Sequence, residues 1–282
     1  MKLRIICIAL IVISVLTGVL YTGAAAVRSL EFRREADAEV GLARMGIRMV
    51  DIPGGAFLMG TADVEPNLRE HYRPHTVTVS PFSMSVCEIT ARQFFDLTGI
   101  RHGYFSREEM YPVISVSWRE AAEFCNALSE RYHLEKCYNE YYWECDTRKN
   151  GFRLPTEAEW EYACRAGTST FFYSGNSEAD LARAGWYRGN SQEQLHPGGL
   201  KEKNAWGLAD MSGNVIEWCN DRYGIYSAIP AVNPTGTKYG SNRVLRGGSW
   251  FHSTYACRST FRLFGNPENV RAYVGFRIVR SR

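Results

Sequence analysis

GFRLPTEAEWEYACRAG, Gly151–Gly167, contains a helix start, an apolar stripe and a helix stop in one short run. Thr156 and Glu159 have the capping-box spacing, in which the hydroxyl accepts the Glu159 amide and the carboxylate reaches back to the cap amide. Trp160, Ala163 and Cys164 then fall on one face, the acidic first turn suits the helix dipole, and Gly167 supplies a stop. The same box recurs twice upstream. Thr90 with Gln93 opens ARQFFDLTG, where Phe94 and Leu97 share a face and Gly99 ends the helix. Ser117 with Glu120 opens WREAAEFCNALSERYH, where Ala121, Phe124, Cys125 and Leu128 recur at helical spacing. VDIPGGAFLMG, Val50–Gly60, reads as one strand and TVTVS, Thr76–Ser80, as a second with clean alternation. Beyond Gly167 no helical period is visible; Gly, Asn, Ser, Trp and Tyr are frequent, predicting aromatic-rich loops around short strands. The fold class is α+β, with little regular secondary structure.

The chain has 282 residues and a formal net charge of +3. It opens MKLRIICIALIVISVLTGVLYTGAAAVRS: Lys2 and Arg4, an uncharged apolar run, then small residues at Ala24 and Ala26. That order predicts a secretory signal cut after Ala26, and Ile5–Ala26 is also long enough to anchor the chain in a bilayer if it stays. Cys7 lies too early for a lipoprotein cysteine. The expected organisation is residues 1–26 as signal or anchor, 27–44 as lead-in and 45–282 as one domain. The expected location is extracytoplasmic. Removing Lys2 and Arg4 leaves a charge of about +1, so no nucleic-acid partner is expected, and membrane contact is expected only through an uncleaved N-terminus. Of the eight cysteines, an odd number remains once Cys7 is gone. Cys137 and Cys145 flank YNEYYWE and either close that loop or stay as thiols; Cys125 and Cys164 read as buried thiols.

Two constellations carry chemistry. In DMSGNVIEW, Asp210–Trp218, two carboxylates flank a Gly-Asn turn. They either serve a hard, oxygen-seeking cation such as calcium or accept backbone hydrogen bonds that stiffen the turn. In RGGSWFHSTYACRSTFR, Arg246–Arg262, His252 and Cys257 are either ligands of a soft metal such as copper or a surface imidazole beside a packed thiol. His71 and His75 are the one close histidine pair, in a proline-containing loop that suits a solvated role. The sequence has no CxxC, HExxH or GxSxG motif and no phosphate-binding glycine loop.

In order, IPGGAFLMG, PFSMSVCEIT, PVISVSW, GFRLPTEAEWEYACRAG, NAWGLADMSGNVIEW, RVLRGGSW and GFRIVR, from about Met45 to Arg280, resemble the formylglycine-generating enzyme family, the sulfatase-modifying factors. The resemblance implies a variant of the C-type lectin fold. Active members are copper-dependent oxidases that convert a cysteine of a client sulfatase to formylglycine with molecular oxygen. Ser249 and Trp250 match their motif and Cys257 matches the second copper cysteine, but His252 stands at the first. A two-thiolate site is therefore lost. The family's calcium ligands map to the side chains of Asp210 and Glu217 and the carbonyls of Gly213 and Val215; Ile216 replaces a common tryptophan. Cys164 loses its usual partner, since Ile278 occupies that position.

Relatives also include maturation factors and the variable proteins of diversity-generating retroelements, in which adenine mutagenesis of AAY codons rewrites C-terminal loops. Phe251–Ala256, together with Phe261, Leu263, Phe264, Gly265, Val270, Ala272 and Tyr273, are all residues such codons reach. The expected function is a calcium-stabilised module binding a protein or small molecule through Phe251, His252, Ser253, Thr254, Tyr255, Ala256, Phe261, Leu263, Phe264 and Tyr273. The alternative is a copper-dependent oxidase or maturation factor using Cys257 with His252 and Ser249.

Overall fold

The computed structural model describes residues 33–34, 36–103 and 110–282. The expected signal or anchor lies outside the described residues; among them no helix is long and apolar enough to cross a membrane. Each capping box read from the sequence is formed. Thr90 caps α2 (Ala91–Thr98), Ser117 caps α3 (Trp118–Arg131) and Thr156 caps α4 (Glu157–Arg165), each with both reciprocal hydrogen bonds. Such a cap contributes about 1 kcal/mol. The left-handed residue ending α4 is Ala166, one position before the expected Gly167, which is itself at φ 91°. A fourth box, Ser177 with Asp180, opens α5 (Glu178–Ala184), where the sequence had been read as loop. That helix is too short to display a hydrophobic period, so its cap was the only local signal. Ahead of these, α1 (residues 36–44) buries Ala38 and Leu42 in the core, so part of the expected lead-in packs on the domain.

Eleven short strands form three sheets among the described residues. The first runs β1 (Met49–Ile52), β4 (Phe82–Ser85), β11 (Val279–Ser281), β5 (Phe152–Arg153), with all three pairings antiparallel. The second runs β10 (Val274–Gly275), β6 (Ile216–Arg222), β8 (Arg243–Arg246), β9 (Arg262–Gly265). The third runs β2 (Gly55–Met59), β3 (His75–Val79), β7 (Ala231–Val232). β3 alternates buried and exposed, as TVTVS predicts. Val50–Gly60 is not one strand: Pro53 lacks an amide for a ladder, and β1 and β2 join different sheets on either side of Pro53–Gly54.

Two apolar clusters make the core. In one, Phe94 stacks on Phe124 at 5.5 Å and Phe276 meets Phe124 edge-on at 5.4 Å, joining α2, α3 and the C-terminal segment. In the other, Trp160 and Cys164 of α4 pack between the sheets with Met84, Met211 and Val244. All seven described cysteines are free thiols. Cys137 and Cys145 are not bonded; hydrogen bonds hold their loop instead, with the Asp146 amide donating to the Cys137 carbonyl at 2.9 Å and Tyr138 bridging Cys145.

Candidate functional site

RGGSW is stitched to GNVIEW through the backbone. The Gly213 amide donates to the Gly247 carbonyl at 2.8 Å, and the Trp250 amide to the Asn214 carbonyl at 2.9 Å. Gly248 turns the chain at φ 69°, and a Cβ there would meet the Cys257 sulfur at 2.7 Å. Beneath the turn, Arg246 is fully buried and pairs with Glu161. It also donates to the carbonyls of Ser259, Thr260 and Phe261 at 3.0, 2.9 and 2.8 Å. One guanidinium thus fixes the floor of the loop that follows Cys257.

On this frame the expected contact residues separate into groups. Phe251 is exposed and stacks on Tyr273 at 5.6 Å, while His252 meets Tyr273 edge-on at 5.1 Å. Arg188 lies over the Phe251 ring at 5.3 Å and donates from Nε to the Phe251 carbonyl at 3.0 Å, which sets the ring's position. A second group has the exposed Tyr255 edge-on to Phe261 at 5.6 Å, with Arg258 against Tyr255 at 4.8 Å and Phe171 at 3.8 Å. Phe264 is exposed beside Tyr223 at 4.5 Å. Ser253 is exposed and Thr254 half-buried in the 3₁₀ turn Thr254–Cys257. Two expectations change. Ala256 is buried and Leu263 packs partly into the core, because the 3₁₀ turn and the β8–β9 pairing point them inward. Arg188, Arg258 and Phe171 were missed: nothing local to them marks a role, and only the fold brings them to this surface.

The residues of the oxidase alternative meet around Ser249, which touches His252 through its hydroxyl and Cys257 through its backbone. Ser249 Oγ lies 2.6 Å from His252 Nδ1, so those two meet. Burial, then the charge of Arg188, holds the imidazole below its ordinary pKa. Cys257 is fully buried in a cluster with Phe172, Leu181 and Tyr187, and burial pushes its thiol up to about 12. Copper ligation needs the thiolate, so a copper ion at this sulfur would have to displace the thiol proton, and Cys257 is the one thiol of the family pair left to do it. Among the described residues no group of three or more His, Cys, Asp or Glu side chains is arranged to hold a metal.

The calcium set fits in part. Glu217 is fully buried, and Arg277 Nη2 and Nε donate to its two oxygens at 2.7 Å each while Trp160 Nε1 donates at 2.7 Å. That carboxylate is already neutralised. Asp210 differs: Gly199 donates to Oδ2 at 2.6 Å, and Oδ1 is buried without a hydrogen-bond partner. Burial lifts the Asp210 carboxyl to about 6, with the Gly199 amide and Arg277 opposing that shift and Glu217 adding to it. Asp210 is the side chain with an oxygen to offer.

Residues 38–282 match the sulfatase-modifying factor enzyme 1-like domain. The chain is 29% identical to the chaperone protein LppX of Paenibacillus barcinonensis, over 83% of this chain and 89% of that one. It is 28% identical to the inactive C-alpha-formylglycine-generating enzyme 2 of Mus musculus, over 83% and 85%. The structure resembles Treponema denticola variable protein 1 with a TM-score of 0.76 and 32% identity, over 82% of this chain and 94% of that one. The motif order, the fold and these matches together place the chain in the sulfatase-modifying factor, or formylglycine-generating enzyme, family.

Proposed function

We propose that this protein is an exported binding module without formylglycine-generating activity, whose ligand, a protein or small molecule, is met by the surface around Phe251, His252, Tyr255, Phe264 and Tyr273. The observation that carries this reading is the contrast between Cys257 and its neighbours: the sulfur is sealed, while the rings beside it are exposed and held by Arg188 and Arg258. Rigid aromatics on a fixed frame give contact area at low entropic cost. Similarity to a variable protein and to an inactive family member supports the reading. Diversification by a retroelement is part of the proposal, and an adenine-rich repeat of the 251–273 coding segment beside a reverse transcriptase gene is its genomic signature.

A recognition surface tolerates change where a folding core does not. The triple substitution Phe251→Ser, Tyr255→Ser and Tyr273→Ser is expected to shift unfolding by no more than about 1–2 kcal/mol, since the rings are partly solvated and their pair terms small. Urea titration measures this, and loss of the folded state would mean the rings are structural. In parallel, the protein should neither consume oxygen with a cysteine peptide and Cu(I) nor bind Cu(I) in a manner removed by Cys257→Ser. Oxygen consumption would make it an oxidase instead, and Cys257-dependent Cu(I) binding would show that the sulfur is not sealed.

Calcium, on this proposal, is held by Asp210 with the Gly213 and Val215 carbonyls, Glu217 remaining with Arg277. Calcium should raise Tm relative to chelator-treated protein, and Asp210→Asn should abolish the rise. Equal Tm in calcium and chelator would remove the ion from the proposal.

A further inference from the structure

A second site lies at the opposite end of β6 and β8 from RGGSW. There a cleft of about 420 Å³ is lined by Arg222, Lys238, Arg243, Asn220, Thr237 and Glu144. Three cations and one exposed carboxylate face the same space, and none of the three has a carboxylate within ion-pair distance among the described residues.

The two strand arginines are not ion-paired, the buried Asp221 acting on Arg243 only at longer range. Arg222 of β6 and Arg243 of β8 are direct cross-strand partners, next to a register irregularity after Trp218. Like charges opposite one another destabilise a sheet. Arg243 is buried, its Nη1 donating to the Asn220 carbonyl at 2.5 Å and its guanidinium lying 3.7 Å from the Trp118 ring centroid. Burial lowers its pKa to about 10; Tyr138 opposes that and the charge of Arg222 adds to it. Arg222 Nη1 donates to the Lys238 carbonyl at 2.7 Å, which fixes the rim of the cleft. The other buried arginines among the described residues show what is missing here: Arg153, Arg165, Arg246, Arg262 and Arg277 each carry a glutamate.

We infer that this cleft binds an oxyanion of the phosphate or sulfate class, with Arg222, Arg243 and Lys238 as its cationic partners. The anion takes the place of the carboxylate that the paired guanidiniums lack, and planar guanidinium forks suit its oxygens.

Calorimetric titration of the full chain with inorganic phosphate and with inorganic sulfate, each against chloride at matched ionic strength, tests this. Phosphate or sulfate should bind and raise Tm where chloride does not, and the two arms decide between the anions. Arg222→Gln with Lys238→Gln should weaken binding by about tenfold or more. Because Arg222 is half-exposed, Arg222→Gln alone should leave the protein folded and, without anion, should raise Tm by relieving the repulsion on Arg243. Absence of binding by both anions, or undiminished binding in the double variant, overturns the site; a lower Tm for Arg222→Gln overturns the repulsion.

Discussion

Arg246→Met is expected to destabilise the protein by about 3–5 kcal/mol, the range for breaking one side of a buried ion pair. Both Arg246 and Glu161 are fully buried. The substitution leaves Glu161 with Arg165 and the Gly60 amide, and leaves the Ser259, Thr260 and Phe261 carbonyls without their donor. Methionine fills much of the volume, so the loss is of charge and hydrogen bonds rather than packing. A matched control is Arg183→Met, which breaks exposed pairs with Asp180 and Glu202 and should cost at most about 1 kcal/mol. Urea midpoints compare the two. Faster amide exchange at residues 259–261 should accompany the Arg246 change, since those residues rest on its guanidinium. Equal midpoints for the two variants would show that Arg246 does not hold this floor.

Gly213→Ala should cost about 3–5 kcal/mol, combining left-handed backbone strain with overpacking. Gly213 sits at φ 106°, and a Cβ there would lie 2.2 Å from the Trp186 carbonyl oxygen. Relief requires moving either the Trp186 backbone or the Gly213–Gly247 hydrogen bond, so the RGGSW turn moves with it. Gly99→Ala provides the comparison: its φ is 73°, and nothing lies within 4 Å of the added carbon. That change should cost only about 1 kcal/mol, because strain acts there without a clash. A Gly213→Ala variant as stable as Gly99→Ala would mean the Trp186 segment gives way freely.

The elements whose signals are local were legible in the sequence. Thr90, Ser117 and Thr156 announced three helices because a cap is a short-range contact, readable from residues three apart. The β1/β2 break at Pro53 was missed because strand membership depends on partners distant in the chain, here β4 and β3. At the site, Phe251 and Tyr273, both expected to meet a ligand, stack on each other, whereas Arg188, which positions Phe251, carries no sign of that role in its own neighbourhood. For Glu217 the spacing left a cation ligand and a turn-stiffening acceptor both open, and the resemblance implied the ligand; spacing reveals a carboxylate but not its counterion. Arg277, sixty positions later, already occupies it.

The place of β11 in the first sheet sets an order on folding. Val279–Ser281 lies between β4 and β5, so those strands have no common neighbour until the chain has been made through residue 281. The contacts that close this sheet are long-range, and a chain emerging from the ribosome or crossing a membrane N-terminus first must wait for them. A chain interrupted anywhere in residues 251–273 would lack this strand and fail to close the sheet. The last three-residue strand is thus the joint of the first sheet, and the two strands on either side of it come from segments about seventy residues apart.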